Sequence, residues 1–266
     1  VRIINKVLGK FELTSSVLLG IALISMGLGL TFRSLVVLGL SQKNLESQVL
    51  QIVKNHPQVV IESLQAYQRQ QQQAQQKAAE AIRQDLTSNP KSFISDSPML
   101  GAKNKKIILI AFSDFQCPFC GKVQKTLKDF MAANGKEVTF IYKHLPLEHI
   151  HSEAMSAALA SWAANRQGKF WEFHDALFAH QDKLGEEFYI KTAKCLNLNL
   201  QQFNSDRQSN LAKAAILKDV EIAKKLGISS TPYFLINGTD LPGAAPLQDF
   251  NQALIQAKQN LAKSAH

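Results

Sequence analysis

Three kinds of apolar pattern follow one another along the chain. Leu13–Phe32 is a run of 20 uncharged residues, enough at about 1.5 Å per residue to cross a hydrocarbon core of about 30 Å. Arg2, Lys6 and Lys10 precede it, which keeps the N-terminus cytoplasmic and puts everything after about residue 41 on the exported side. Residues 1–40 therefore read as a membrane anchor. A cleavable signal segment is the competing reading, and the long apolar core without an A-x-A site weighs against it. From 41 to 90 the apolar residues fall at helical spacing: Leu45, Val49, Ile52 and Val53, then Val60, Leu64 and Tyr67 beyond an interruption at Pro57. Asn55 is a candidate cap for the restarted helix. Residues 68–76 carry seven Gln in nine positions, good helix formers with almost no apolar face. The segment predicts a helical stalk, either a solvated spacer or an oligomerisation helix built on the stripe ahead of the Gln run.

Residues 91–266 change pattern again and predict one well-cored domain. Lys106–Phe112 (KIILIAF) is apolar on both alternating faces, as a central strand covered on two sides should be. Cys117–Asn134 reads as a helix stopped by Gly135, and Val138–Lys143 as a second strand. A largely helical stretch over 152–226 is broken at Gln167-Gly168, at His180–Gly185 and near Asn197–Asn199. Pro232–Ile236 is a third strand, Asn237-Gly238 a hairpin turn, and about 246–263 a closing helix. This order is an α/β layered pattern.

Composition narrows the classes without naming one. With 45% hydrophobic and 19% charged residues the chain is not disordered, and three cysteines are too few for a disulfide-stapled scaffold. The net charge of +9 divides into +4 over residues 1–90 and +5 over 91–266, with Lys103, Lys105 and Lys106 the nearest thing to a cluster. Without a dense basic tract, a mildly basic solvated surface is expected and no nucleic-acid partner.

The chemistry is expected at Cys117-Pro118-Phe119-Cys120. A CxxC between a buried strand and a helix sets the first sulfur on the helix N-terminus, where unpaired N–H groups and the dipole favour an anion. The thiolate attacks disulfides, so this placement makes a nucleophile. The second cysteine lies one turn in, within disulfide reach and more buried, and resolves the mixed disulfide. Pro118 suits the first helical position. Half a zinc site has the same spacing, but two more ligands are then needed. Cys195, beside Ala193, Leu196 and Leu198, reads as a buried small hydrophobe, and His144, His149 and His151 as solvated or capping residues of a loop. No metal is expected, and no cofactor beyond the redox-active pair itself. Phe115, Phe119, Tyr233 and Phe234 are candidates for an apolar collar or for core.

Phe112–Cys120 (FSDFQCPFC), Lys143–Phe178 and Ser230–Gly238 (STPYFLING) resemble, in order, the active-site segment, the inserted helical region and the cis-proline strand of DsbA-like thioredoxin-fold proteins. Asn44–Arg83 resembles the N-terminal helical extension of ScsC-like members. The resemblance covers roughly residues 90–260. It implies a thioredoxin-like fold over 91–266 with a helical insertion at about 150–226, Cys117 as the attacking sulfur and Cys120 as the resolving one. It also implies a cis Thr231–Pro232 bond that turns the Thr231 backbone toward Cys117 to pair with substrate. Expected partners are exported proteins with free thiols, a DsbB- or VKOR-type membrane reoxidase, the membrane itself, and further copies of the chain through the stalk. Two departures stand out. Many relatives carry a buried acid six positions before the first cysteine, and this chain has Ala111, so Cys120 must exchange its proton with water or another group. The dipeptide Pro118-Phe119 holds no cation, so the helix terminus and backbone N–H groups are left to acidify Cys117, which predicts intermediate oxidising power.

Overall fold

The computed structural model describes residues 42–88, 94, 96–104 and 106–264. The anchor expected over 1–40 lies outside them, and among the described residues no helix is long and apolar enough to cross a membrane. Two helices come first, α1 (Gln42–Asn55) and α2 (Pro57–Ser88). Pro57 starts α2 because that position needs no N–H donor. The residue between the helices is His56, whose carbonyl accepts the Val59 N–H at 3.1 Å, so the cap falls one residue beyond Asn55.

The chain divides into two compact units between Gln68 and Arg69. In the first, the helical stripe of Val49, Ile52, Val53, Val60, Leu64 and Tyr67 is exposed. The second unit begins with the Gln-rich half of α2. There Ala79 is buried, Ile82 packs on the core, and the Arg83 guanidinium donates to both Asp240 carboxylate oxygens at 3.1 and 3.2 Å.

The sheet of the second unit comprises β1 (Met99–Gly101), β2 (Ile107–Ser113), β3 (Val138–His144), β4 (Tyr233–Ile236) and β5 (Thr239–Pro242) in the order β1-β3-β2-β4-β5. β2 and β3 are parallel and the other pairings antiparallel. Every residue of β2 is buried because both faces are covered. Ile107, Leu109 and Ala111 meet Leu127 and Phe130 of α4 (Gln124–Asn134) and Phe250 and Leu254 of α10 (Leu247–Ser264). Ile108, Ile110 and Phe112 point the other way, onto Ala223 of α9 (Asn210–Lys225) and Leu226 just past it. The β4–β5 hairpin turns on Asn237 (φ 44°) and Gly238 (φ 88°), both left-handed as a two-residue type I′ turn requires. Asn237 also holds the centre of the sheet: its Oδ1 accepts the Ile108 N–H at 2.7 Å and its Nδ2 donates to the Lys106 carbonyl at 3.1 Å.

Between β3 and β4 lies the expected helical insertion: α5 (Ala154–Arg166), α6 (Phe170–Ala179), α7 (Glu186–Cys195), α8 (Leu200–Arg207) and α9. Its core joins Phe170, Phe173, Tyr189 and Phe203 to Phe115 and Tyr142 beneath the active-site turn. Three features depart from the sequence reading. The edge strand β1 is additional. The helix expected over 117–134 is two helices, α3 (Pro118–Lys122) and α4, meeting at Val123. A further break at Ser209 separates α8 from α9, its side chain accepting the Ala212 N–H at 3.1 Å as an N-cap.

Candidate active site

The end of β2 delivers the chain into a tight turn fixed by Asp114. Its fully buried carboxylate accepts the Gln116 N–H at 2.8 Å and the Leu147 N–H at 2.9 Å, and meets His151 Nδ1 at 2.7 Å. The turn sets Cys117 at the N-cap of α3 with Pro118 at its first position. Cys117 and Cys120 are buried free thiols. The Cys117 thiol donates to the Thr231 carbonyl at 3.4 Å, and the Thr231–Pro232 peptide is cis. The structure thus brings Cys117, Cys120, Thr231 and Pro232 together.

The Cys117 thiol is lowered from 9.0 to about 5. A hydrogen bond from the Cys120 side chain contributes most. Burial opposes it, and the Thr231 side chain and the N–H groups of Cys120 and Phe119 add to the lowering. The backbone donors expected at the helix terminus are present, but the largest effect comes from the partner cysteine. Cys120 is pushed far up, first by burial and then by the adjacent Cys117. One sulfur is therefore an anion at neutral pH while the other keeps its proton. The Thr231 hydroxyl, buried and without a partner while Cys117 is a thiol, is the donor that ionisation of Cys117 would satisfy.

Pro118 and Phe119 form the rim of the site, with Phe119 61% exposed. Phe115 and Phe234 are core residues instead, and Tyr233 is half-buried, its hydroxyl donating to Asp240 Oδ1 at 2.9 Å. The loop histidines separate: His149 is exposed, His151 caps Asp114, and His144 is buried, contrary to a solvated or capping role. Cys195 is exposed, not buried, because α7 turns Tyr189, Thr192 and Ala193 inward and ends with Cys195 on the other side. Among the described residues no group of three His, Cys, Asp or Glu is placed to hold a metal.

Two residues of the site escaped the sequence reading. Gln181 reaches from the insertion and donates through Nε2 to the carbonyls of Phe115 at 2.7 Å and Cys117 at 2.9 Å. A Cβ at Gly121 would strike its carboxamide, so the small residue there makes room for this brace. Nothing local announces a contact spanning 64 residues. Asp114 did carry a signal, since an Asp two residues before a turn N–H is the usual Asx arrangement.

The thioredoxin family model matches residues 93–256. A thioredoxin-like oxidoreductase from Silicibacter pomeroyi superposes with a TM-score of 0.58 at 26% identity, covering 62% of this chain and 94% of that one. ScsC from Proteus mirabilis in a transitional conformation superposes with a TM-score of 0.58 at 25% identity, covering 83% of this chain and 95% of that one. The Na(+)/H(+) antiporter NhaA 3 of Salinispora tropica is 32% identical over 157 residues, 59% of this chain and 24% of that protein, so the chain spans about a quarter of that relative's length. The chain belongs to the thioredoxin family.

Proposed function

We propose that the Cys117–Cys120 pair forms disulfides in exported proteins, from a catalytic unit tethered to the membrane by residues 1–40. The observation that carries this reading is a Cys117 sulfur acidified to about 5 and facing the Thr231 carbonyl beside a cis proline. In the oxidised enzyme a client thiolate attacks Cys117 Sγ, and Cys120 leaves. The client's second thiolate then attacks its own sulfur in the mixed disulfide, and Cys117 leaves as a stable anion. Each turn moves two electrons from client to enzyme. Stabilising the Cys117 thiolate stabilises the reduced enzyme, which makes the disulfide an oxidant. The value lies below a thioredoxin-type sulfur at about 7 and above the most acidic DsbA sulfur at about 3.5, supporting intermediate oxidising power. The exposed Phe119 offers an apolar contact for unfolded clients, and the Thr231 backbone beside Cys117 offers pairing.

The electrons then pass to a membrane reoxidase of the DsbB or VKOR type. The cysteine pair is the only redox group this cycle uses. An exported location fits the chemistry, because disulfides persist only in oxidising compartments. A second reading, isomerase or reductase kept reduced, is favoured by one observation: the exposed apolar stripe between Val49 and Tyr67, which suits self-association and would gather several active sites around one misfolded client. Thiol trapping of Cys117 in cells decides the direction. A mostly oxidised pair with client disulfides lost in Cys117→Ala supports the oxidase, and a mostly reduced pair the isomerase. Client disulfides that never depend on Cys117 would overturn both. Solution mass of the wild type against Leu64→Glu tests the self-association.

A further inference from the structure

The active-site turn is gripped from outside by the segment between β3 and β4. Before α5, the Leu147 N–H and the His151 ring meet the Asp114 carboxylate, and the Glu153 N–H donates to Gln116 Oε1 at 2.6 Å. At the end of α6, the Phe178 ring packs on Phe115 at 5.0 Å between centroids, and three residues later Gln181 reaches the turn itself. This last contact bears on the reactive residue. Gln181 Nε2 donates to the Phe115 carbonyl at 2.7 Å and to the Cys117 carbonyl at 2.9 Å.

The chemistry of the contact accounts for glutamine at this position. Both partners are acceptors, so a side chain that bridges them must bring two N–H donors on one atom, as a carboxamide nitrogen does. An ionised glutamate has none to give, and asparagine is one methylene shorter. Phe115 is buried, so its carbonyl depends on a donor from the protein, and leaving it unmet would cost the desolvation of that group. The Cys117 carbonyl also accepts the Gly121 N–H at 3.2 Å, so Gln181 adds a second bond that fixes its direction. The backbone of Gln181 is itself anchored. It opens the single turn Gln181–Lys183 between α6 and α7. There the His180 carbonyl accepts the Lys183 N–H at 2.9 Å, and the His180 ring meets Phe188 of α7 edge-on at 5.5 Å. The carboxamide has room because position 121 is glycine: a Cβ there would collide with its Oε1 and Cδ. Gly121 lies inside α3 and is not left-handed, so neither backbone conformation nor helix propensity calls for glycine.

We propose that Gln181 is a positioning residue for thiol–disulfide exchange: its carboxamide, admitted by Gly121, holds the backbone from Phe115 to Cys117 so that the Cys117 sulfur stays seated against Thr231 and Cys120. Without it the turn loses a bond at each carbonyl. The Cys117 sulfur, 3.4 Å from the Thr231 carbonyl, then loses its fixed distance to the groups that favour its anion. Hydrogen bonds weaken steeply as they lengthen and bend, so a small shift of the turn is felt at the sulfur. Gln181 bonds backbone and not sulfur, and so acts through the turn. The proposal rests on Cys117 being the reactive sulfur.

The test uses the full chain and reads the Cys117 sulfur directly. Gln181→Met keeps the length and removes both donors. Cys117 should then titrate about one unit higher by ultraviolet thiolate absorbance, as expected when a hydrogen bond to a charged group weakens. A less stable thiolate makes the disulfide a weaker oxidant, so the equilibrium with glutathione should move toward the enzyme disulfide by about three- to tenfold. Gly121→Ala leaves Gln181 in the chain but displaces its carboxamide, and should shift both readings the same way. The two changes combined should shift them no further than the larger single change, because both act through one contact. A loss of packing alone would lower the unfolding midpoint and leave titration and equilibrium as in wild type. A folded Gln181→Met with wild-type titration and glutathione equilibrium therefore overturns the proposal, and Gly121→Ala carries the same test if Gln181→Met does not fold. Additive shifts in the combined variant overturn the shared contact. A wild-type protein whose Cys117 forms no mixed disulfide with glutathione overturns the functional reading instead.

Discussion

The Cys117 thiol and the Thr231 carbonyl oxygen lie 3.4 Å apart although 114 residues separate them in the chain. The same threonine holds a buried hydroxyl with no partner while Cys117 carries its proton. Losing that proton removes the thiol's bond to the carbonyl and gives the hydroxyl an anion to bind. Thr231 is thus set to favour the charged sulfur through its side chain. Thr231→Val keeps the branched shape and removes the hydroxyl. A hydrogen bond to a charged group contributes about 1.5–3 kcal/mol, and one pKa unit is about 1.4 kcal/mol. The Cys117 thiol should therefore rise by roughly one to two units in Thr231→Val. Thiolate absorbance in the ultraviolet against pH reads this directly, and an unchanged titration would remove the threonine from the account.

The acidity of Cys117 should also appear in folding stability. Its folded value of about 5 lies below the ordinary 9.0, so the reduced protein gains stability that is fully present above about pH 9 and is lost as pH falls through about 5. Between those limits the unfolded chain binds up to one more proton than the native one. The disulfide form has no such group to titrate. Urea unfolding of reduced wild type and reduced Cys117→Ser at pH 5, 7 and 8.5 should show wild type gaining on the variant at each step. A difference that stays flat with pH would contradict the acid sulfur.

What could be foreseen from the chain and what could not separates by the range of the interaction. β2 was legible because its apolar run needs two covered faces, and Asn237-Gly238 because its turn type demands those residues. CPFC was legible because a strand, a cysteine and a first-turn proline place a sulfur on a helix end. The edge strand β1 was not: its three residues Met99–Gly101 show no alternation, and only pairing with β3 makes them a strand. Gln181 and the burial of His144 were not legible either. A polar residue in a helical insertion or a strand says nothing of the cavity or carbonyl it will meet once distant elements pack. The site's cysteines were thus readable locally, and its bracing by Gln181 only from tertiary structure.

Lys143 and Asp219 form a buried ion pair at 2.8 Å, their side chains 1% and 10% exposed, and Asp219 also accepts the His144 N–H at 3.0 Å. Burial raises the Asp219 carboxyl while Lys143 holds it down. Removing one partner of such a pair strands the other charge and costs about 3–5 kcal/mol, whereas replacing both with apolar residues is often tolerated. Asp219→Ala should therefore lower unfolding stability by about 3–5 kcal/mol. The double variant Lys143→Met with Asp219→Leu should recover most of that. Equal losses in the single and double variants would show that the pair is not what the site requires.

The second compact unit starts at Arg69, within α2. Within it, Ala79 and Ile82 of α2 pack against Ile108, Ile110 and Leu235, and Arg83 grips Asp240, which in turn receives the Tyr233 hydroxyl next to the cis proline. The Arg83–Asp240 pair is partly exposed, so it contributes at most about 1 kcal/mol. The apolar contacts of Ala79 and Ile82 contribute about 1–3 kcal/mol more. A chain starting at Arg69 should unfold like the second compact unit of the full protein. A chain starting at residue 91 should be less stable by about 1–4 kcal/mol. Denaturant midpoints of the two truncations give the comparison, with Arg83→Ala isolating the ion pair. If the shorter chain proved as stable as the longer one, the second half of α2 would belong to the stalk alone.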